Sequence, residues 1–274
     1  MSAGDDHRLV EISGTTLFVQ DVGSGPPVVL LHGFGLDSRM WGPQIDALGA
    51  QFRVIAYDDR GFGRSGPTGA APYAQEDDLR ALLAQLGIER AHFVGLSMGG
   101  RTALRFALRY PESVCSLVFV SSAADGQTWS NEWVDAWRRI TTEARSGNME
   151  DARRLWFEHP LFATTHRVAA ALKVLAEMIA TYSGWHWANR DPLVVPKPPA
   201  LERLGEISAP ALVVTGERDL PDFRLVGARL IAGLPNAQRM RVLDAGHLLN
   251  LERAELTTGV IRAFLTSEEV TRRS

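Results

Sequence analysis

Residues 94–100 read VGLSMGG, which places one hydroxyl among apolar residues and glycines. Gly95-Leu96-Ser97-Met98-Gly99 fits the pattern G-x-S-x-G. The pattern alone says little, because a chain of this length contains it by chance roughly one time in ten. Its chemistry would be nucleophilic. A serine hydroxyl attacks a carbonyl only when a base takes its proton, and the base needs an acid to fix its tautomer and stabilise the imidazolium that forms. Histidine suits the base, with an unperturbed pKa near 6.5.

Of the seven histidines, His247 lies in LDAGHLLN, just after the last expected strand. His32 ends a strand beside the same site and reads as structural. His7, His92, His159, His166 and His186 lack a strand-end position, although the last three could touch a substrate. For the acid, Asp219 in VVTGERDLPD stands just past a strand end; Glu217, Asp222 and Asp125 are rivals. The order Ser97, Asp219, His247 is the Ser…Asp…His order that accompanies a G-x-S-x-G turn. Only His247 follows Asp219, so accepting that acid leaves no other base. Acyl transfer also needs donors for the oxyanion, worth roughly 3 kcal/mol each. The backbone N–H groups of Met98, after the nucleophile, and of Phe34, in the loop after VVLLHG, are the candidates.

These residues need elements to hold them. LVEIS and TLFVQDV read as an opening hairpin around Gly14. Apolar runs at 27–33, 52–58, 91–95, 115–122, 211–216 and 238–245 read as buried strands. Helix candidates lie at about 38–49, 73–87, 98–109, 222–234 and 252–267. This alternation predicts an α/β fold, a mostly parallel sheet with helices on both faces. Ser97 then sits between the strand AHFVG and the helix MGGRTALRFALRYP, a strand–turn–helix setting that strains the serine backbone and lifts its hydroxyl above the sheet.

Between about 125 and 200 the alternation stops, and six of the seven tryptophans fall there. We expect a helical cap, residues 125–200, inserted between core parts 1–124 and 201–274. Trp129, Trp133 and Trp137 are four apart and are expected on one helix face. Trp129, Trp133, Trp185 and Trp187 are the candidate substrate contacts, although packing between cap and core would also use tryptophans.

Other chemistries are set aside. GFGRSG (61–66) matches a dinucleotide-binding glycine pattern, but PTGAAP follows it, where no helix can start to face a pyrophosphate. A net charge of −3 gives no case for nucleic acid or an anionic membrane. A single cysteine, Cys115 in an apolar run, excludes an internal disulfide and a cysteine-based metal site. No cofactor and no metal is called for. The polar start MSAGDDHRL has neither a basic region nor an apolar run, no stretch approaches the roughly 20 apolar residues of a membrane span, and a cytoplasmic location is expected.

LLHGFGLDSRMW, YDDRGFGRSG, VGLSMGG, GERD and AGH together resemble the α/β-hydrolase superfamily, in its order and spacing over essentially the whole chain. The resemblance implies Ser97, Asp219 and His247 as triad, Phe34 and Met98 as oxyanion hole, and a structural role for DRGFGRS. GIERAHFVGLSMGG and AGHLLNLE are most similar to small-cap esterases and lactonases, including 3-oxoadipate enol-lactonases. Haloalkane dehalogenases and epoxide hydrolases carry an aspartate where Ser97 stands. Carbon–carbon hydrolases of ring-cleavage products usually carry H-G-x-G-P and a tryptophan after the catalytic histidine, where this chain has Leu36 and Leu248. Cofactor-free peroxidases and perhydrolases share the triad.

The expectation is a serine hydrolase of a carboxylic ester or lactone, with carbon–carbon hydrolysis or perhydrolysis as the alternative. The aromatic cap suggests a small apolar or aromatic substrate. A homodimer is compatible with this reading.

Overall fold

The computed structural model describes residues 7–272, so the first six residues of the polar N-terminal segment lie outside it. In chain order the elements are β1 (His7–Ile12), β2 (Thr15–Val22), β3 (Pro27–Leu31), α1 (Gly42–Leu48), β4 (Arg53–Tyr57), α2 (Gln75–Gln85), β5 (Ala91–Leu96), α3 (Met98–Arg109) and β6 (Val114–Val120). Then come α4 (Asn131–Arg145), α5 (Met149–Phe157), α6 (Ala169–Thr181) and α7 (Trp185–Ala188), followed by β7 (Ala211–Gly216), α8 (Pro221–Gly233), β8 (Ala237–Val242), α9 (Leu249–Glu252) and α10 (Ala254–Leu265). The strands form one eight-stranded sheet in the order β1-β2-β4-β3-β5-β6-β7-β8. β1–β2 and β2–β4 pair antiparallel; every other pair is parallel.

Side chains alternate along a strand, and the parallel strands bury both faces. In β3, Val28 and Leu30 pack on one side with Trp41 and Ile45 of the first helical segment and with Ile261 of α10. Val29 and Leu31 pack on the other with Leu79 and Leu82 of α2, Phe106 of α3 and Leu230 of α8. Their continuous apolar sequence follows from burial on both faces. β8 departs from this: Gln238 to Arg241 are exposed, because β8 is the sheet edge beside β7. Its alternating charges suit an edge.

Residues 121–210 join the adjacent strands β6 and β7 through α4–α7 and contribute no strand to the sheet. Asp222 at the start of α8 ties this segment down, accepting from Ser130 N at 2.9 Å and Ser130 Oγ at 2.7 Å. Ser130 in turn caps α4, its Oγ accepting from Trp133 N at 3.3 Å. The helix therefore begins after Trp129. Trp129 is not on the helix face expected for it; it reaches Trp133 by stacking, with ring centroids 5.0 Å apart. The serine cap ends the four-residue periodicity one step early. No helix among the described residues is long and apolar enough to cross a membrane.

Candidate active site

β5 delivers the chain to Ser97, and α3 starts at the next residue. Ser97 has φ 54° and ψ −112°, a conformation that costs a non-glycine residue on the order of 1–3 kcal/mol. Its own backbone holds it there: Ser97 N donates to Val120 O at 3.1 Å, and Ser97 O accepts from Ala123 N at 3.0 Å and Arg101 N at 3.1 Å. Two glycines make the turn possible. A Cβ on Gly95 would run into the Gly99–Gly100 backbone, and one on Gly99 into the Leu31 carbonyl. Arg101 N is the first intrahelical donor, so the Met98 N–H has no acceptor within α3 and stands at its positive end.

Phe34 follows β3 in a loop held from below by His32. Asp59 N donates to His32 Nε2 at 2.9 Å, so Nδ1 carries the proton and donates to Gly33 O at 2.8 Å. Both ring nitrogens are used, as expected of a structural histidine. The glycine pattern at 61–66 is structural as well: Arg64 N and Ser38 N donate to the two carboxylate oxygens of Asp58, each at 2.8 Å.

The four rival acids separate cleanly. His247 Nδ1 lies 3.0 and 3.1 Å from the two carboxylate oxygens of Asp219, and both residues are buried. Asp222 is engaged by Ser130. Asp125 forms a two-pronged pair with Arg105 at 2.6 and 2.7 Å. Glu217 pairs with Arg241 at the exposed edge. Asp219 and His247 meet because the loops after β7 and β8 are laced together: Glu217 N donates to Val242 O at 2.9 Å and Arg218 N to Ala245 O at 2.8 Å. Glu252 steadies the turn before His247, accepting from Gly246 N at 2.5 Å and Thr165 Oγ1 at 2.6 Å. The Phe223 ring lies 4.2 Å from the His247 ring.

Ser97, His247, Phe34 and Met98 line one cavity of about 350 Å³. Trp129, Trp133, Trp137 and Trp156 line its apolar wall. Trp185 and Trp187 do not reach it. α7 has only four residues, and positions two apart on a helix point to different sides. Trp187 turns into the core against Tyr182, and Trp185 turns to a surface hollow beside Pro72 and Asn189. Of the histidines between 125 and 200, none lines this cavity; His159 packs behind Trp133 and Trp156. Sequence reasoning missed Trp137 and Trp156 as wall residues, and also Arg101. Arg101 was discoverable, since it stands four residues after Ser97 on α3.

Among the described residues no group of three His, Cys, Asp or Glu side chains could hold a metal ion. Cys115 is buried, and burial pushes its thiol up, away from the reactive thiolate.

The family model for the alpha/beta hydrolase fold matches residues 26–254. The chain belongs to the α/β-hydrolase family. This hydrolase is 29% identical to 3-oxoadipate enol-lactonase 1 of Acinetobacter baylyi, covering 93% of this chain and 94% of the relative. It is 34% identical to a 2-hydroxy-6-oxononadienedioate/2-hydroxy-6-oxononatrienedioate hydrolase of Paraburkholderia phymatum, with 92% of each chain covered. Its structure is similar to that of the enol-lactonase from Burkholderia xenovorans LB400, with a TM-score of 0.79 and 26% identity over 95% of this chain and all of that one.

Proposed function

We propose that this α/β-hydrolase cleaves a carboxylic ester or lactone through Ser97, His247 and Asp219. The observation that carries the proposal is the contact of the buried Asp219 carboxylate with His247 Nδ1, at the cavity into which the strained Ser97 also opens. With Nδ1–H donating to Asp219, neutral His247 keeps its Nε2 lone pair for the Ser97 proton. Ser97 Oγ then attacks the carbonyl carbon, and the oxyanion is held by the N–H groups of Met98 and Phe34. The imidazolium returns its proton to the leaving alcohol, leaving an acyl group on Ser97. Water activated by His247 releases the acid. Residues 125–200 act as the cap, placing the tryptophan wall over the serine.

The test is hydrolysis of 4-nitrophenyl butyrate. Ser97→Ala is expected to lose turnover by at least about 10³-fold while melting as a folded protein, and to lose labelling by a fluorophosphonate. Unchanged turnover in Ser97→Ala sinks the assignment. A second reading, carbon–carbon hydrolysis, is favoured by the likeness to the Paraburkholderia phymatum hydrolase. A ring-cleavage dienone turned over faster than simple esters and lactones would select it.

A further inference from the structure

Two arginines, Arg60 and Arg105, are buried, and a third, Arg101, is partly buried with its Nε enclosed; the three are treated differently. Arg60 is neutralised by Asp78, with both carboxylate oxygens at 2.5 Å, and Arg105 by Asp125. Arg101 has no such partner: among the described residues no carboxylate forms an ion pair with it. Its Nη2 donates to the neutral Gln75 Oε1 at 3.1 Å, while its Nε is buried and hydrogen-bonds to nothing. The carboxylates that bear on it are otherwise engaged. Asp125 is taken by Arg105, and Asp59 accepts from Gln75 Nε2 at 3.1 Å. Asp191, across the smaller cavity, accepts from Tyr73 OH at 3.3 Å and Leu193 N at 3.2 Å. Burial, then the neighbouring Arg105, push the Arg101 pKa down, yet a guanidinium keeps its charge in proteins. Even partial burial of a cation without a counter-charge has a cost. The fold nevertheless positions it, since Gln75 also accepts from Thr102 Oγ1 at 3.2 Å.

Arg101 lines the cavity that contains Ser97, and it also lines a smaller cavity of about 210 Å³ behind Phe34, Met98 and Trp137. It stands one helical turn, about 6 Å of rise, beyond Ser97. Cα–Cβ bonds in a helix tilt toward its N-terminus, so the Arg101 side chain leaves α3 on a lean toward the serine end.

We propose that the substrate carries a carboxylate and that Arg101 binds it. The reacting carbonyl then sits at Ser97 and the apolar remainder against the tryptophans. Arg101 is thus a specificity-determining residue, and the missing counter-charge arrives with the substrate. With only Nη2 engaged, on Gln75, the planar fork keeps N–H donors for a charge-assisted bond to a carboxylate in the cavity. The reaction part of this proposal rests on the Ser97 reading; the binding part does not.

Titrating the cavity with 3-phenylpropionate and with 3-phenylpropionamide, following tryptophan fluorescence, separates the two. The wild-type protein is expected to bind the carboxylate at least ~10-fold more tightly than the amide. That ratio should fall toward one in Arg101→Gln and Arg101→Met, with Arg101→Lys in between; two neutral replacements guard against one that fails to fold. The ratio of kcat/KM for mono-4-nitrophenyl glutarate over 4-nitrophenyl butyrate should fall in parallel. A wild-type protein without carboxylate preference, or a preference that survives in the folded neutral variants, overturns the proposal. A carboxylate preference in a protein that hydrolyses no ester would remove the hydrolysis reading and leave the Arg101 site standing.

Discussion

Replacing Asp219 by asparagine tests how the proposed base, His247, is held. The carboxylate faces His247 Nδ1 with both oxygens, and Oδ1 also accepts from Leu220 N at 2.8 Å. An asparagine would keep its carbonyl oxygen on Leu220 N–H, which turns the amide NH₂ toward Nδ1. A donor there requires Nδ1 to accept, so the imidazole proton moves to Nε2, where the proposed mechanism needs the lone pair. Asp219 and His247 are 4% and 2% exposed, so little water can substitute for the lost charge. Removing one partner of a buried pair costs about 3–5 kcal/mol. At 1.36 kcal/mol per decade this is roughly a 10²- to 10⁴-fold loss. Because the pair matters most when the imidazolium forms, the loss should fall on kcat with KM little changed. Steady-state hydrolysis of 4-nitrophenyl butyrate measures both. Asp222→Asn is the comparison, since that side chain anchors Ser130 and should act on stability or KM. If Asp219→Asn kept more than about a tenth of wild-type kcat while Asp222→Asn lost it, the tautomer argument would be wrong.

Two further perturbations concern the frame. Gly99→Ala forces a methyl into the Leu31 backbone, which cannot step aside, and should destabilise the protein by about 1–3 kcal/mol or more in urea denaturation. Gly42→Ala, with open space and no positive φ, should be close to neutral. The pH dependence follows from His92, His159 and His186, each held down at about 4 chiefly by burial. The unfolded chain binds these protons near pH 6.5, so stability falls as pH drops from about 6.5 toward 4. Asp78, pushed up to about 6 by burial, opposes this: its contribution is present at low pH and lost as pH rises through 6. His186→Phe should therefore flatten the fall of unfolding free energy between pH 6.5 and about 5 by up to ~1.4 kcal/mol per pH unit. An unchanged slope would mean that His186 is protonated in the folded state.

Local periodicity was enough to read the parallel strands, the helices flanking them and the turn at Ser97, because each is encoded within a dozen residues. VVLLHG, AHFVG and ALVVTG announce strands buried on both faces, and glycines at 95 and 99 announce a turn too tight for a side chain. Where a short-range pattern met a competing interaction, it misled: the Ser130 cap removed Trp129 from the helix its spacing suggested.

The sequence by itself determined the fold family, the order Ser97, Asp219, His247, and the absence of a helix after the glycines at 61–66. Only the tertiary structure decided which of four acids faces His247, which tryptophans line the cavity, and that Arg101 lies there without a counter-charge. The physical reason is sequence distance. Asp219 and His247 are 28 residues apart, and Arg101 is separated from Trp133 and Trp156 by whole elements. Contacts of that kind are set by how β7 and β8 are laced together and how the helices of 121–210 settle on the sheet. No local pattern carries that information.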